Sequence, residues 1–241
     1  VTGSCDLKTN TCSYEFAGGA GCCVTSADCK VETGYCAPEA QCVENKCSAE
    51  APVQSQTLMN FVFTESVDGW SYNSNSNYRW RESDSESKSP SLSLYFGNEA
   101  GQNYCGGGPG SFNTGGVANL PGSGENSVFP TGTISFDATG TTELRFWVYA
   151  DIRQNPNVDE LLVQLERTDG AVIPVWTKVD LADTDYKKWV EVSVDVTYLA
   201  PFEGRVRALF EVGNPFAAGG CDDGGKGPFL DDIAIVQTCG K

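Results

Sequence analysis

Apolar and polar residues alternate one by one through much of the chain. In "TELRFWVYA", Leu144, Phe146, Val148 and Ala150 alternate with Arg145, Trp147 and Tyr149. "WVEVSVDVT" is cleaner still, with Val190, Val192, Val194 and Val196 on one face and Glu191, Ser193 and Asp195 on the other. A period of two sends successive side chains to opposite sides of an extended backbone, so these segments predict strands with one buried face. "ELLVQLERT" and "AVIPVWTKV" are separated by Asp169-Gly170, a turn that predicts a hairpin. "SVFPTGTISFD", "RVRALFEV" and "FLDDIAIVQ" complete the set, and no segment offers a convincing amphipathic helix. Roughly ten short strands from residue 57 onward predict an all-β chain, an antiparallel β-sandwich of jelly-roll type. The stretches "SYNSNSN", "ESDSESKSPS" and "CGGGPGSFNTGG" then become loops at the sandwich ends.

The first 47 residues follow another logic. They hold few core-forming residues but eight of the eleven cysteines: Cys5, Cys12, Cys22, Cys23, Cys29, Cys36, Cys42 and Cys47. A unit so small needs covalent staples. Zinc is the competing use of cysteine, but no C-x-x-C occurs and the chain has no histidine. Disulfides in an oxidising compartment are therefore expected, which places the protein outside the cell or at its surface. The predicted organisation is a cystine-rich unit over 1–47, a polar linker over 48–56 ("SAEAPVQSQ") and a β-sandwich over 57–241. No leader precedes Val1, so a processed, mature chain is expected.

Charge narrows the partners. Asp and Glu number 32 against 16 Lys and Arg, a formal net of −16. Such a surface repels phosphate backbones, so nucleic acid is not an expected partner. No run of 18 or more apolar residues exists to span a membrane. Without histidine, Ser-His-Asp and Cys-His catalysis is impossible, and no G-x-S-x-G elbow is present. Paired carboxylates could in principle hydrolyse glycosides, but nothing in the sequence singles out a pair.

The segments "VDGW", "SLSLYFGN", "LRFWVYADIRQNPNVDELLVQ", "WVEVSVDVT" and "FLDDIAI" occur in that order over residues 57–239. Together they resemble the MAM-type and carbohydrate-binding-module-like jelly rolls of secreted bacterial proteins. The front segment, "CCVTSADC" and its following cysteines, resembles the short cysteine-rich repeats of such proteins. The resemblance implies a largely non-catalytic domain with a structural calcium held between its first and last strands. It assigns that ion to Glu65 and to Asp231 or Asp232, completed by carbonyls, in keeping with calcium's demand for six to eight oxygens. Asp222 and Asp223 in "CDDGGKG" are further candidates. The alternative is that these carboxylates cap turns by accepting backbone N–H groups.

Cys105 and Cys221 both lie in Gly-rich loops, where a bridge between them would close a long loop. An odd number of cysteines leaves at least one without an intrachain partner. Cys239 is the candidate for a free thiol or a bridge to a second molecule. Two non-enzymatic roles follow. The first is a structural or adhesive module, a self-assembling surface or filament subunit stabilised by calcium and disulfides. The second is a carbohydrate-binding module that engages surface glycans. Sugar contacts would come from aromatic faces, with Tyr78 and Trp80 in "NYRWRES" foremost and Trp147 and Trp189 on strands. Aromatics lined up on a solvated face favour sugar binding; aromatics buried between sheets favour assembly.

Overall fold

A computed structural model describes residues 4–6, 11–13, 35–36, 39–43, 46–50, 54–63, 71–73, 79–98, 100, 103–104, 115–120, 133–156, 158–212 and 225–239. Two small hairpins come first: β1 (Ser4–Asp6) with β2 (Thr11–Ser13), and β3 (Glu39–Val43) with β4 (Lys46–Glu50). The sandwich strands are β5 (Ser55–Phe61), β6 (Ser71–Asn73), β7 (Arg79–Ser83), β8 (Ser93–Gly97), β9 (Gly115–Leu120) and β10 (Ile134–Phe136). They continue with β11 (Thr141–Asp151), β12 (Asp159–Arg167), β13 (Val172–Thr177), β14 (Trp189–Asp195), β15 (Phe202–Val212) and β16 (Gly227–Thr238). Helical structure among the described residues is confined to single 3₁₀ turns such as Lys178–Asp180.

The twelve strands form two six-stranded antiparallel sheets. One runs β13-β12-β15-β9-β6 with β10 also on β15; the other runs β14-β11-β16-β8-β7 with β5 also on β16. Both sheets are built alike. Each has a long strand whose outer side is shared by two short ones. β15 pairs with β10 through Gly204 and with β9 from Val206, while β16 pairs with β8 at Phe229 and Leu230 and with β5 from Ile233. The chain crosses repeatedly between the sheets, as a jelly-roll β-sandwich requires.

Alternation does what the sequence predicts. Leu144, Phe146, Val148 and Ala150 enter the core, where they meet Leu161, Val163, Val206, Phe210 and Trp176 of the facing sheet. The Asp169-Gly170 hairpin joins β12 to β13, and Gly170 takes φ 88, a left-handed conformation that glycine adopts without strain.

Alternation fails at one place with consequences. In β16, Leu230 faces the core and so do Ile233 and Ile235, an odd step apart. A bulge absorbs the extra residue: Trp147 lies opposite Asp231 and Arg145 opposite Ala234, so two residues of β16 face Phe146. Asp232 carries the bulge at φ 47. Without it, a one-residue slip would turn Ile233 and Ile235 to the outside.

Two features differ from expectation. β5 begins at Ser55, inside the expected linker, because Gln56 and Thr57 pair with Gln237 and Val236. Cys239 is neither free nor available to a second molecule. It is bonded to Cys36, 203 residues away, and both are buried, Cys239 at 0 % exposure and Cys36 at 2 %. The contact is reinforced by the Tyr35 N–H donating to Asp137 Oδ2 at 3.1 Å and the Cys36 N–H to Thr139 Oγ1 at 3.1 Å. The physical reason is local. β16 ends beside the turn that enters β11, and the Tyr35–Cys36 turn docks on that same end. Cys42 and Cys47 are also disulfide-bonded. Cys105 and Cys221 lie outside the described residues, as do Cys22, Cys23 and Cys29.

Candidate functional site

The outer face of the β14-β11-β16-β8-β7 sheet carries the aromatic residues that alternation keeps out of the core. Because Val148 and Ala150 point inward, Trp147 and Tyr149 point outward. The register then lines up a row across four strands. Trp189 of β14 is opposite Tyr149 of β11, Tyr149 is opposite Phe229 of β16, and Phe229 is opposite Tyr95 of β8. Ring centroids are 5.7 Å apart for Tyr149 and Trp189, 5.7 Å for Tyr149 and Phe229, and 4.5 Å for the stacked pair Tyr95 and Phe229.

The row is closed at one end and open at the other. Tyr95 and Phe229 are buried, and the Tyr95 hydroxyl donates to the Lys226 carbonyl at 2.8 Å. Trp147, Tyr149 and Trp189 remain partly exposed. Polar groups surround the open end. Lys226 pairs with Glu86 at 2.5 Å, Lys187 with Asp151 at 3.3 Å, and Glu191 stands opposite Trp147. Burial lifts the Tyr149 phenol above its ordinary value, and the Glu86 and Asp151 carboxylates add to this against Lys226.

Asp151 is the informative member of this rim. It is buried to 8 % exposure, and its Oδ2 accepts the Lys226 N–H at 2.9 Å. Its Oδ1 is ion-paired to the Lys187 ammonium and covered by Gly225, so this carboxylate anchors the rim rather than facing a ligand.

Asp231 has another task. Its Oδ2 accepts the backbone N–H groups of Lys88 at 2.8 Å and Ser89 at 3.0 Å. Its Oδ1 accepts Ser89 Oγ at 3.2 Å and the Asp232 N–H at 2.8 Å. Burial pushes this carboxyl above the usual range while the three amides pull it back. The lone pairs a calcium ion would need are filled by donors, the arrangement of a turn cap. The Asp231 oxygens are thus taken up by donors, and Asp232, at φ 47, supplies the backbone of the bulge. Among the described residues no three Asp, Glu, Cys or His side chains gather as a metal would require. Glu65, Asp222 and Asp223 lie outside the described residues.

The cap has an effect on the aromatic face. By holding residues 88–89 against β16, Asp231 sets Lys88 with its Nζ 4.0 Å from the centroid of the Trp147 ring. Sequence reasoning singled out Trp147 and Trp189, which the register brings to one face. It missed Asp151 and Lys88, whose positions depend on pairings that no local pattern reports.

Trp80 is a correction. Expected as a foremost sugar contact, it is buried to 1 % and packs edge-on against Phe96 at 5.6 Å, inside the sandwich. The alternation of β7 sends it inward, opposite Phe96 of β8. Tyr78 lies outside the described residues. Trp176 likewise fills the core, edge-on to Phe146 at 5.3 Å.

A cleft of about 530 Å³ opens at the other end of the sandwich, lined by Tyr35, Gln56, Asp137, Arg167 and Glu203 among others. Its polar floor is largely self-satisfied, since Gln56 Nε2 donates to Gln237 Oε1 and Gln237 Nε2 to the Asp137 carbonyl, both at 3.1 Å. A buried cluster is also committed internally: Asp159 takes Arg153 at 2.6 Å and the Tyr104 hydroxyl at 2.7 Å, and Lys178 Nζ donates to two carbonyls at 2.9 Å.

No protein-family model matches the chain, and no curated protein does. Among solved structures it is similar to the xylan-binding CBM22-1 domain of Xyn10C from Paenibacillus barcinonensis, at 13 % identity and a TM-score of 0.43. That alignment covers 79 % of this chain and 100 % of the other. It is also similar to the K3 cleaved adhesin domain of Lys-gingipain from Porphyromonas gingivalis W83, at 15 % identity, a TM-score of 0.45, and coverage of 77 % and 100 %. At these scores the likenesses add nothing to the topology described above.

Proposed function

We propose that this chain is a non-catalytic, extracellular carbohydrate-binding module. Its binding surface is the open end of the aromatic row, with Trp147, Tyr149 and Trp189 as stacking faces. The observation that carries this reading is the cross-strand row itself, in which Trp147, Tyr149 and Trp189 stay partly exposed on one sheet face among charged side chains. Sugars present apolar C–H faces and hydroxyl donors together, which is the complement of such a surface. Cys239 is removed from the assembly reading by its bond to Cys36, and the odd cysteine among the eleven falls at another position.

The test is affinity electrophoresis through gels carrying soluble plant and bacterial polysaccharides. Retention of the parent protein by one of them is expected. Trp189→Ala is expected to weaken that retention roughly 10-fold or more, about 1–2 kcal/mol, with an unchanged far-ultraviolet spectrum. Retention that survives both Trp189→Ala and Asp151→Asn would place the binding surface elsewhere.

A further inference from the structure

The cations on the aromatic face are almost all spoken for. Lys226 is paired with Glu86, Lys187 with Asp151, Lys188 with Asp185 at 2.9 Å, and Arg145 with Glu143 at 2.5 Å. Lys88 differs. It is exposed, its ammonium rests on the Trp147 ring, and among the described residues no carboxylate lies within ion-pair distance of it. In a chain of net charge −16, an unpaired cation is conspicuous. Its placement is also not left to chance, because both backbone amides of residues 88 and 89 are clamped by the buried Asp231 carboxylate.

A cation on an indole face is stabilised by roughly 0.5–1 kcal/mol at an exposed site, so Lys88 occupies the surface that a sugar ring would use. A neutral sugar stacking on Trp147 offers this ammonium only hydroxyl acceptors, which bind it more weakly than an ionised group does. A sugar bearing an anionic group can stack beside it and form a charge-assisted hydrogen bond with the same Nζ. Trp147 is flanked by Asp231 of β16 on one side and by Glu191 of β14 on the other. The anionic group is drawn by the Lys88 ammonium alone, and Glu191 can accept a hydroxyl donor.

Resting on the carbohydrate-binding reading above, we infer that the ligand is an acidic glycan whose carboxylate or sulfate is received by Lys88 over the Trp147 ring. The overall negative charge does not forbid this. At 0.15 M salt charges beyond about 8 Å are largely screened, so the contact depends on the Lys88 ammonium set against the Asp231 and Glu191 carboxylates beside Trp147.

The experiment measures retention at 0.15 M salt on polygalacturonate, dextran sulfate and the neutral polymers xylan and galactan, for the parent protein and for Lys88→Gln and Lys88→Arg. Polygalacturonate or dextran sulfate is expected to retain the parent at least 10-fold more strongly than either neutral polymer, and which of the two does so identifies the anionic group. Lys88→Gln is expected to lose about 10-fold on the acidic polymer and to gain or keep its weak retention on the neutral ones; Lys88→Arg is expected to stay near the parent. Equal retention on neutral and acidic polymers overturns the acidic-glycan inference and leaves the carbohydrate-binding reading standing. So does parent-like behaviour of Lys88→Gln. No retention on any polymer overturns both.

Discussion

Four hydrogen-bond donors converge on the Asp231 carboxylate, three of them backbone amides with no other acceptor in the loop. Removing the acceptor strands those donors in a part-buried site, and an unsatisfied buried amide costs about 1–3 kcal/mol. Asp231→Ala is therefore expected to lower unfolding stability by roughly 2–4 kcal/mol. The loss should be equal in EDTA and in millimolar calcium, read from denaturant midpoints; a calcium-dependent difference would return Asp231 to the metal. At this scale the sequence was only partly legible. Two adjacent aspartates near the end of a strand are compatible with either a cation or a cap. What decides between them is whether amides or open space face the oxygens, and two of the three amides come from residues more than 140 positions away in sequence.

Strand by strand, the alternating pattern carries most of the weight. β11, β12, β13, β14 and β15 run where the hydrophobic period of two places them, and the Asp169-Gly170 turn joins the pair it predicts. β16 is legible in a less obvious way. The step from Leu230 to Ile233 breaks parity, and a strand with both ends buried can restore it only by a bulge. Asp tolerates the positive φ this needs, whereas a β-branched residue does not. Asp232→Val is expected to cost about 1–2 kcal/mol, and Asp232→Gly to be neutral or slightly stabilising, in thermal melts of matched samples. A Val variant as stable as the parent would mean that the bulge can migrate. The tryptophans divide on this pattern: Trp147 alternates with the apolar set Phe146 and Val148 and so faces outward, whereas Trp80 stands among Arg79, Arg81 and Glu82, and only its pairing opposite Phe96 places it in the core.

For the molecule as a whole, the cystine-rich front segment and the sandwich are not independent. Tyr35 and Cys36 dock on the end of β16 through the Cys36–Cys239 bridge and the Asp137–Thr139 turn. A bridge spanning 203 residues limits the unfolded chain by about 5 kcal/mol in the chain-entropy model. The double variant Cys36→Ser/Cys239→Ser is expected to lose stability up to that amount, measured by guanidinium unfolding of the oxidised proteins. A change of a few tenths of a kcal/mol would show that the docking hydrogen bonds suffice without the bond.

The same bridge makes the stretch from Cys36 to Cys239 a covalent ring, with the connections between the strands as its arcs. A single protease cut in any of those arcs opens the ring without releasing a piece. The nicked protein keeps its full mass until a reductant reaches a sulfur pair that has almost no surface, so its wear in a protease-rich environment would be invisible on a non-reducing gel.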